Sequence, residues 1–124
     1  MSVPVATDAL AEQLDRYGRV AFLLTVSPDQ RPHSVSVSVT FTDGELRAAV
    51  GGTSATNAEA SGRVTLLWPS RPVDPGYSLI VDGEARVERD GDGARIAVTP
   101  TRAVQHRQAD ADRSAPNCIP VEAP

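Results

Sequence analysis

The sequence predicts a mainly β domain, an antiparallel barrel or sandwich of about six strands with one or two short helices. Three observations predict it. Residues Ser34 to Phe41 alternate without a fault, with Val35, Val37, Val39 and Phe41 on one side and Ser34, Ser36, Ser38 and Thr40 on the other. A period of two belongs to a strand with one dry and one hydroxyl-covered face. Turn chemistry recurs at short intervals, at Ser27-Pro28-Asp29-Gln30, Thr42-Asp43-Gly44-Glu45 and Asp90-Gly91-Asp92-Gly93. Only two stretches carry helix signals, and both are short. The hydroxyl face of the alternating strand is either ordinary wet surface or one wall of a groove for something polar and flat.

Taken in order, Thr7 or Asp8 can cap a helix that runs to about Tyr17, with Leu10, Leu14 and Tyr17 as its apolar stripe and Gly18 as its stop. Val20 to Val26 is apolar on both sides and reads as a central strand buried on both faces. After the alternating strand, Asp43-Gly44 is a strong hairpin signal, and Leu46, Ala48 and Val50 form the inner face of the next strand. These first three strands read as an antiparallel meander. Gly51-Gly52 breaks the third, and Thr53 to Ser61 reads as a short helix ended by Gly62, with Thr53, Ser54 or a Thr56/Glu59 capping box at its start. Val64 to Trp68 is a fourth strand. Ser70 to Gly76, behind Pro69 and holding Pro72 and Pro75, is a loop. Tyr77 to Val87 is a long fifth strand with a bend or bulge at Gly83. Ala94 to Thr99 is a sixth, and Thr101 to Arg107 continues it or bends away. The barrel domain is expected over residues 1–107, followed by a polar tail over residues 108–124 that is loose or wrapped on a partner.

Composition narrows the function. A length of 124 residues suits one domain, and 40% apolar with 23% charged residues is the balance of a soluble globule. The net charge of −4 and the absence of a basic stripe argue against nucleic acid. No apolar run is long enough to cross a bilayer, and Met1-Ser2-Val3-Pro4 lacks the features of a secretory signal. The single cysteine, Cys118, excludes an internal disulfide and fits a reducing cytosol, so a cytoplasmic protein is expected. All twelve basic residues are arginine. Schiff-base, P-loop and general-base lysines are therefore excluded. Aromatics make up only 4% of the chain, so the core is Val/Leu/Ala, and a barrel this lean stands to gain from dimerisation.

Chemistry-bearing residues are few. The histidines are His33 and His106, and no Gly-x-Ser-x-Gly elbow accompanies them. His33, behind Arg31-Pro32, is a rim histidine at a turn or a ligand contact; His106 reads as surface. Too few His and Cys residues are present for a metal site, and the carboxylate pairs Asp43/Glu45 and Asp90/Asp92 fall in turns. The junction of strand, Gly51-Gly52 and helix offers more. A helix N-terminus presents free N–H groups and a partial positive charge, so it can take a phosphate, and Thr53, Ser54 and Thr56 add hydroxyl donors or merely cap the helix. Trp68 is a barrel plug, a dimer-interface residue, or a platform on which a planar ligand stacks. Arg31, Arg47, Arg63 and Arg71 are candidate phosphate partners or solvated strand ends. No side chain stands out as a catalytic acid or base.

The order of these features resembles the pyridoxamine-5′-phosphate-oxidase-like split β-barrel family, whose members bind FMN or the deazaflavin F420. The matching segments are Val20–Val26, Arg31-Pro32-His33 with its alternating strand, Gly51-Gly52 with the helix, Val64–Trp68, and Tyr77 to Ala85. Asn57-Ala58-Glu59-Ala60-Ser61-Gly62 looks closest to the actinobacterial F420-type branch. The resemblance implies a six- to seven-stranded antiparallel split β-barrel and a homodimer that binds FMN or F420 in a groove at the subunit interface. Its implied function is hydride transfer to or from a small organic substrate. The implied cofactor contacts are His33, Ser36, Ser38, Thr53, Ser54, Thr56, Asn57 and Trp68. The family usually places a basic residue, often lysine, just ahead of the helix, and here the matching position holds Ser54. A charge-assisted phosphate contact is about twice as strong as a neutral one. Its loss leaves three outcomes open: an arginine from the partner chain substitutes, the cofactor binds weakly, or the ligand has changed. The alternative expectation is a cofactor-poor relative that acts as a ligand-binding or assembly module without redox turnover.

Overall fold

The computed structural model describes residues 3–70 and 76–107. Its elements are β1 (Val3–Val5), a 3-10 turn at Thr7–Ala9, α1 (Leu10–Tyr17), β2 (Val20–Val26), β3 (Pro32–Ser38), β4 (Thr40–Thr42), β5 (Glu45–Val50), α2 (Gly52–Ser61), β6 (Arg63–Trp68), β7 (Tyr77–Asp90) and β8 (Gly93–Arg107). Every strand pairing is antiparallel. Seven strands follow one path, β3-β2-β6-β7-β8-β5-β4, and β1 adds an eighth on β8. The mainly β antiparallel barrel with two short helices is the fold the sequence predicts.

The alternating stretch does something a meander cannot. Its first part, β3, pairs with β2 at one edge of the sheet, and its last part, β4, pairs with β5 at the other. Val39 alone separates them, buried, with its N–H donating to the Arg19 carbonyl at 2.8 Å. One continuous segment therefore closes the barrel, and no ladder joins β3 to β5 among the described residues. The expected three-stranded meander is split there. Alternation survives the corner: Val37 and Val39 are buried, Val35 and Phe41 half-buried, and Ser34, Ser36, Ser38 and Thr40 exposed.

Turn chemistry behaves as predicted. Asp43 and Gly44 both take positive φ, 54° and 76°, as a two-residue hairpin loop with right-handed strand twist requires. β7 and β8 form a hairpin closed at Asp90 and Gly93, with one register shift at Asp82/Gly83. Pro100 and Thr101 lie opposite that shift, and β8 continues as a strand to Arg107. The first helix starts later than expected: residues 7–9 form the 3-10 turn, and α1 begins at Leu10 without a side-chain cap. The expected loop over Ser70–Gly76 and the polar tail fall largely outside the described residues.

The core is aliphatic around one ring. Leu23, Leu46, Leu66, Leu79, Ile96, Val81 and Val98 are fully buried. So is Trp68, whose Nε1 donates to the Gly18 carbonyl at 3.0 Å. α1 is tied down by a buried polar chain in which Gln105 Nε2 donates to the Tyr17 hydroxyl (2.8 Å), which donates to the Tyr77 carbonyl (3.2 Å). β2 differs from expectation. Ala21, Leu23 and Thr25 face the core, but Val20, Phe22 and Val26 are 62%, 43% and 49% exposed. The helices lie elsewhere, so the outward face of this central strand has no covering layer among the described residues.

Candidate functional site

A cleft of about 390 Å³ opens on the seam of the barrel. One wall is the free edge of β3, with His33, Val35, Ser36 and Val37; the other is the end of β5, Ala49 and Val50; the floor is Gly51, Gly52, Thr53 and Ser54 at the start of α2. Both faces of β3 contribute because the cleft follows the strand edge that carries no ladder. α2 forms there because Gly51, in extended conformation (φ −81°, ψ 173°), ends β5 and turns the chain into the helix. The first helical bond runs from Ala55 N–H to the Gly51 carbonyl at 3.0 Å, which leaves the N–H groups of residues 52–54 without an acceptor within the helix. No side chain caps them. The expected capping by Thr53, Ser54 or Thr56 is therefore not what the hydroxyls do; Thr53 and Ser54 sit inside the first turn. The donor set is backbone N–H groups, the hydroxyls of Ser36 and Thr53, and His33, with Ser54 lining the cleft but only 2% exposed. That set suits an anion at the positive end of a helix dipole.

The structure thus brings together four of the eight residues the sequence singled out: His33, Ser36, Thr53 and Ser54. Ser38 lies further along the same exposed face of β3. Thr56 is exposed on α2, where its hydroxyl accepts from Arg89 at 3.4 Å. Asn57 points inward, 4% exposed, and its Nδ2 donates to the Thr25 hydroxyl at 3.1 Å, tying α2 to β2. Trp68 is the plug of the barrel, with no face open to a ligand. Among the lining residues His33 is the one ionisable side chain. Arg31 pairs with Asp29 (3.2 Å) and Arg47 with Glu45 (3.0 Å), Arg63 lies elsewhere, and Arg71 is outside the described residues.

A second cleft, about 810 Å³, was not legible in the sequence. It lies at the other end of α2 and is lined by Ser61 and Arg63, by Leu24, Val26 and Pro32, and by Asp82 and Glu84. Its residues come from six elements, and only Gly83, which creates the bulge beside it, left a local signal.

The perturbed carboxylates hold the scaffold and line neither cleft. Hydrogen bonds from Arg86 and then Arg47 keep the Glu45 pKa below its ordinary value. Arg89, which approaches Glu59 at 2.6 Å, does the same there and fastens α2 to β7. Among the described residues no three His, Cys, Asp or Glu side chains gather where they could hold a metal ion. No described helix is long and apolar enough to cross a membrane.

This topology is shared with solved structures of pyridoxamine-5′-phosphate-oxidase-like split barrels. An F420 reductase superposes with a TM-score of 0.60 at 20% identity, over 68% of this chain and 88% of that one. A FAD-binding protein from Mesorhizobium loti gives 0.66 at 15% identity, over 85% and 95%. HutZ, the heme storage protein of Vibrio cholerae, gives 0.64 at 13% identity, over 83% and 97%. These likenesses define the class by its fold: a split β-barrel. No family model matches the sequence. The uncharacterized protein Mb0449c of Mycobacterium bovis is 41% identical over 115 residues, covering 80% of each chain, and a Mycobacterium tuberculosis protein matches to the same extent. The chain belongs to the family of these mycobacterial proteins.

Proposed function

We propose that the protein is a flavin- or deazaflavin-binding oxidoreductase of the F420-type branch, cytoplasmic and homodimeric, that passes hydride to or from a small organic substrate. The observation that carries this reading is the shared cleft: the uncapped start of α2, with Thr53 and Ser54, faces the Ser36 and His33 edge of β3. The first-turn N–H groups and the two hydroxyls would hold the phosphate of FMN or F420. Ser36 and Ser38 would hydrogen-bond the polar edge of the ring, and Val35 and Val37 would keep its apolar side dry. When bound, the cofactor supplies the hydride chemistry at its ring. A second copy, laid on the outward stripe of Val20, Phe22 and Val26, would shield the ring from water. The split-barrel neighbours named for F420 reduction and FAD binding support this reading.

A second reading is favoured by one specific observation. Neither arginine nor lysine lines the cleft, so among the described residues of one subunit a phosphate held there has no permanent cationic partner. A ligand-binding or assembly module without redox turnover meets that composition, and the heme-storage neighbour shows that the fold is compatible with such a role. Titration of the purified protein with FMN and with F420 separates the two. The first reading expects saturable binding of one cofactor, weakened about tenfold or more when Thr53 and Ser54 are both changed to Ala, one decade being about 1.4 kcal/mol. No binding of either at high micromolar concentration sinks it in favour of the second.

A further inference from the structure

We propose that the seam cleft selects its ligand through strand backbone: the N–H and C=O of Ser36 read the imide edge of a planar ring. The inference rests on the cofactor reading for the cleft it uses, and adds the atoms that recognise the ring. Two hydrogen bonds fix which way the backbone of β3 faces. Ser27 N–H donates to the Arg31 carbonyl at 3.0 Å, and Val39 N–H donates to the Arg19 carbonyl at 2.8 Å. Both bonds lie on the β2 side, and the register between them, Val26↔Pro32 to Val20↔Ser38, runs without a slip. Along an antiparallel strand the backbone groups alternate sides. His33, Val35 and Val37 therefore turn their N–H and C=O towards β2, as Arg31 and Val39 do. Ser34, Ser36 and Ser38 turn theirs the opposite way.

That opposite edge is laddered from Thr40 on, where Thr40 pairs with Arg47. Continued backwards, the same register sets Ser38 against Ala49 and Ser36 against Gly51, yet β3 and β5 share no ladder among the described residues. The seam cleft lies where these rungs are missing, and Ser36, Ala49 and Gly51 all line it. The edge is not blunted, since residues 34–38 hold neither charge nor proline. Among the described residues the Ser36 backbone meets no other partner, and backbone polar groups require one. The N–H and C=O of one extended residue point out of the edge together, and a facing residue exchanges two hydrogen bonds with them. An imide has the same complement. Its ring N–H donates to the Ser36 carbonyl, and the adjacent ring carbonyl accepts from the Ser36 N–H. FMN and F420 both carry this edge on the pyrimidine end of the ring, whereas a porphyrin carries none. At about 390 Å³ the cleft has the size of a small-molecule site.

The test titrates the whole chain with FMN and with F420, each against its N3-methyl derivative, which keeps the phosphate and the ring but loses the imide donor. The unmethylated ligand is expected to bind about tenfold tighter, the effect of leaving one carbonyl in the cleft without its donor. Amide hydrogen exchange on the unsubstituted chain gives a second readout. Without ligand the amides of Val35 and Val37 should exchange slowly and that of Ser36 fast. Bound ligand should slow Ser36, and the N3-methyl derivative should slow it less. Equal affinity for the ligand and its N3-methyl form would overturn the proposal and leave the cofactor reading standing. A Ser36 amide as protected as Val35 before ligand is added would do the same. No binding of FMN or F420 at high micromolar concentration removes the cofactor reading and this inference with it.

Discussion

Gly83 shows what a single position can demand. A Cβ placed there would meet Val98 Cγ1 closely and stand 2.7 Å from the Thr99 carbonyl oxygen, and both belong to the strand across the bulge. Gly83→Ala is expected to cost about 1–3 kcal/mol, the range of overpacked cores, read as a lowered midpoint in urea unfolding. Gly52 is the contrast. It has no positive φ and nothing within 4 Å of a built Cβ, so Gly52→Ala should hold or raise stability by up to about 1 kcal/mol. The two glycines look alike in the sequence, but one answers to packing across a ladder and the other to the open mouth of a cleft. Asn57 and Trp68 teach the same lesson. Both residue types suit ligand contacts, and which way each points is decided by tertiary packing: Asn57 ties α2 to Thr25, and Trp68 fills the barrel.

The elements were legible wherever a local rule fixes them. Asp43-Gly44, Gly18, Gly62 and the fault-free alternation carry their own geometry: the hairpin and helix ends formed as read, and the alternation kept its two faces while dividing into β3 and β4. Two features were hidden because their cause is distant. β1 is only three residues long and exists through its pairing with Ala103–Gln105. The corner at Val39 leaves the period of two intact, so nothing in the sequence marks it. The links between elements are partly electrostatic, and they give a pH dependence. Glu45 and Glu59 are held below the ordinary carboxylate pKa by their arginines. A depressed folded-state value means the stabilisation is present above the unfolded value and is lost as pH falls through the folded one. Glu45→Gln and the parent chain should therefore differ in thermal midpoint at pH 7 and converge below about pH 4, near and under the unperturbed Glu value. The arginines of these pairs are solvent-exposed, which screens the interaction, so the difference at neutral pH should be small.

For the whole molecule the outward face of β2 matters most. Sequence reading expected Val20 to Val26 to be buried on both sides, and one chain buries only one. Val20, Phe22 and Val26 remain exposed beside the serines of β3, and a second copy is the occupant proposed above. Phe22→Asp tests it, because it places a charge on that stripe without touching the core-facing Ala21 and Leu23. Sedimentation equilibrium should report a dimer for the parent chain and a folded monomer for the variant. An unaltered mass would remove the stripe from the interface.

The barrel closes through a corner at Val39, and the slit beside that corner has no rungs across it. The corner itself is pinned by the Val39 N–H on the Arg19 carbonyl, so the slit is bounded by side chains and not by a ladder. Substitutions among those lining side chains would then reshape the slit without breaking a rung of the sheet, so a scaffold of this kind can change its occupant over evolution while its strands stay paired.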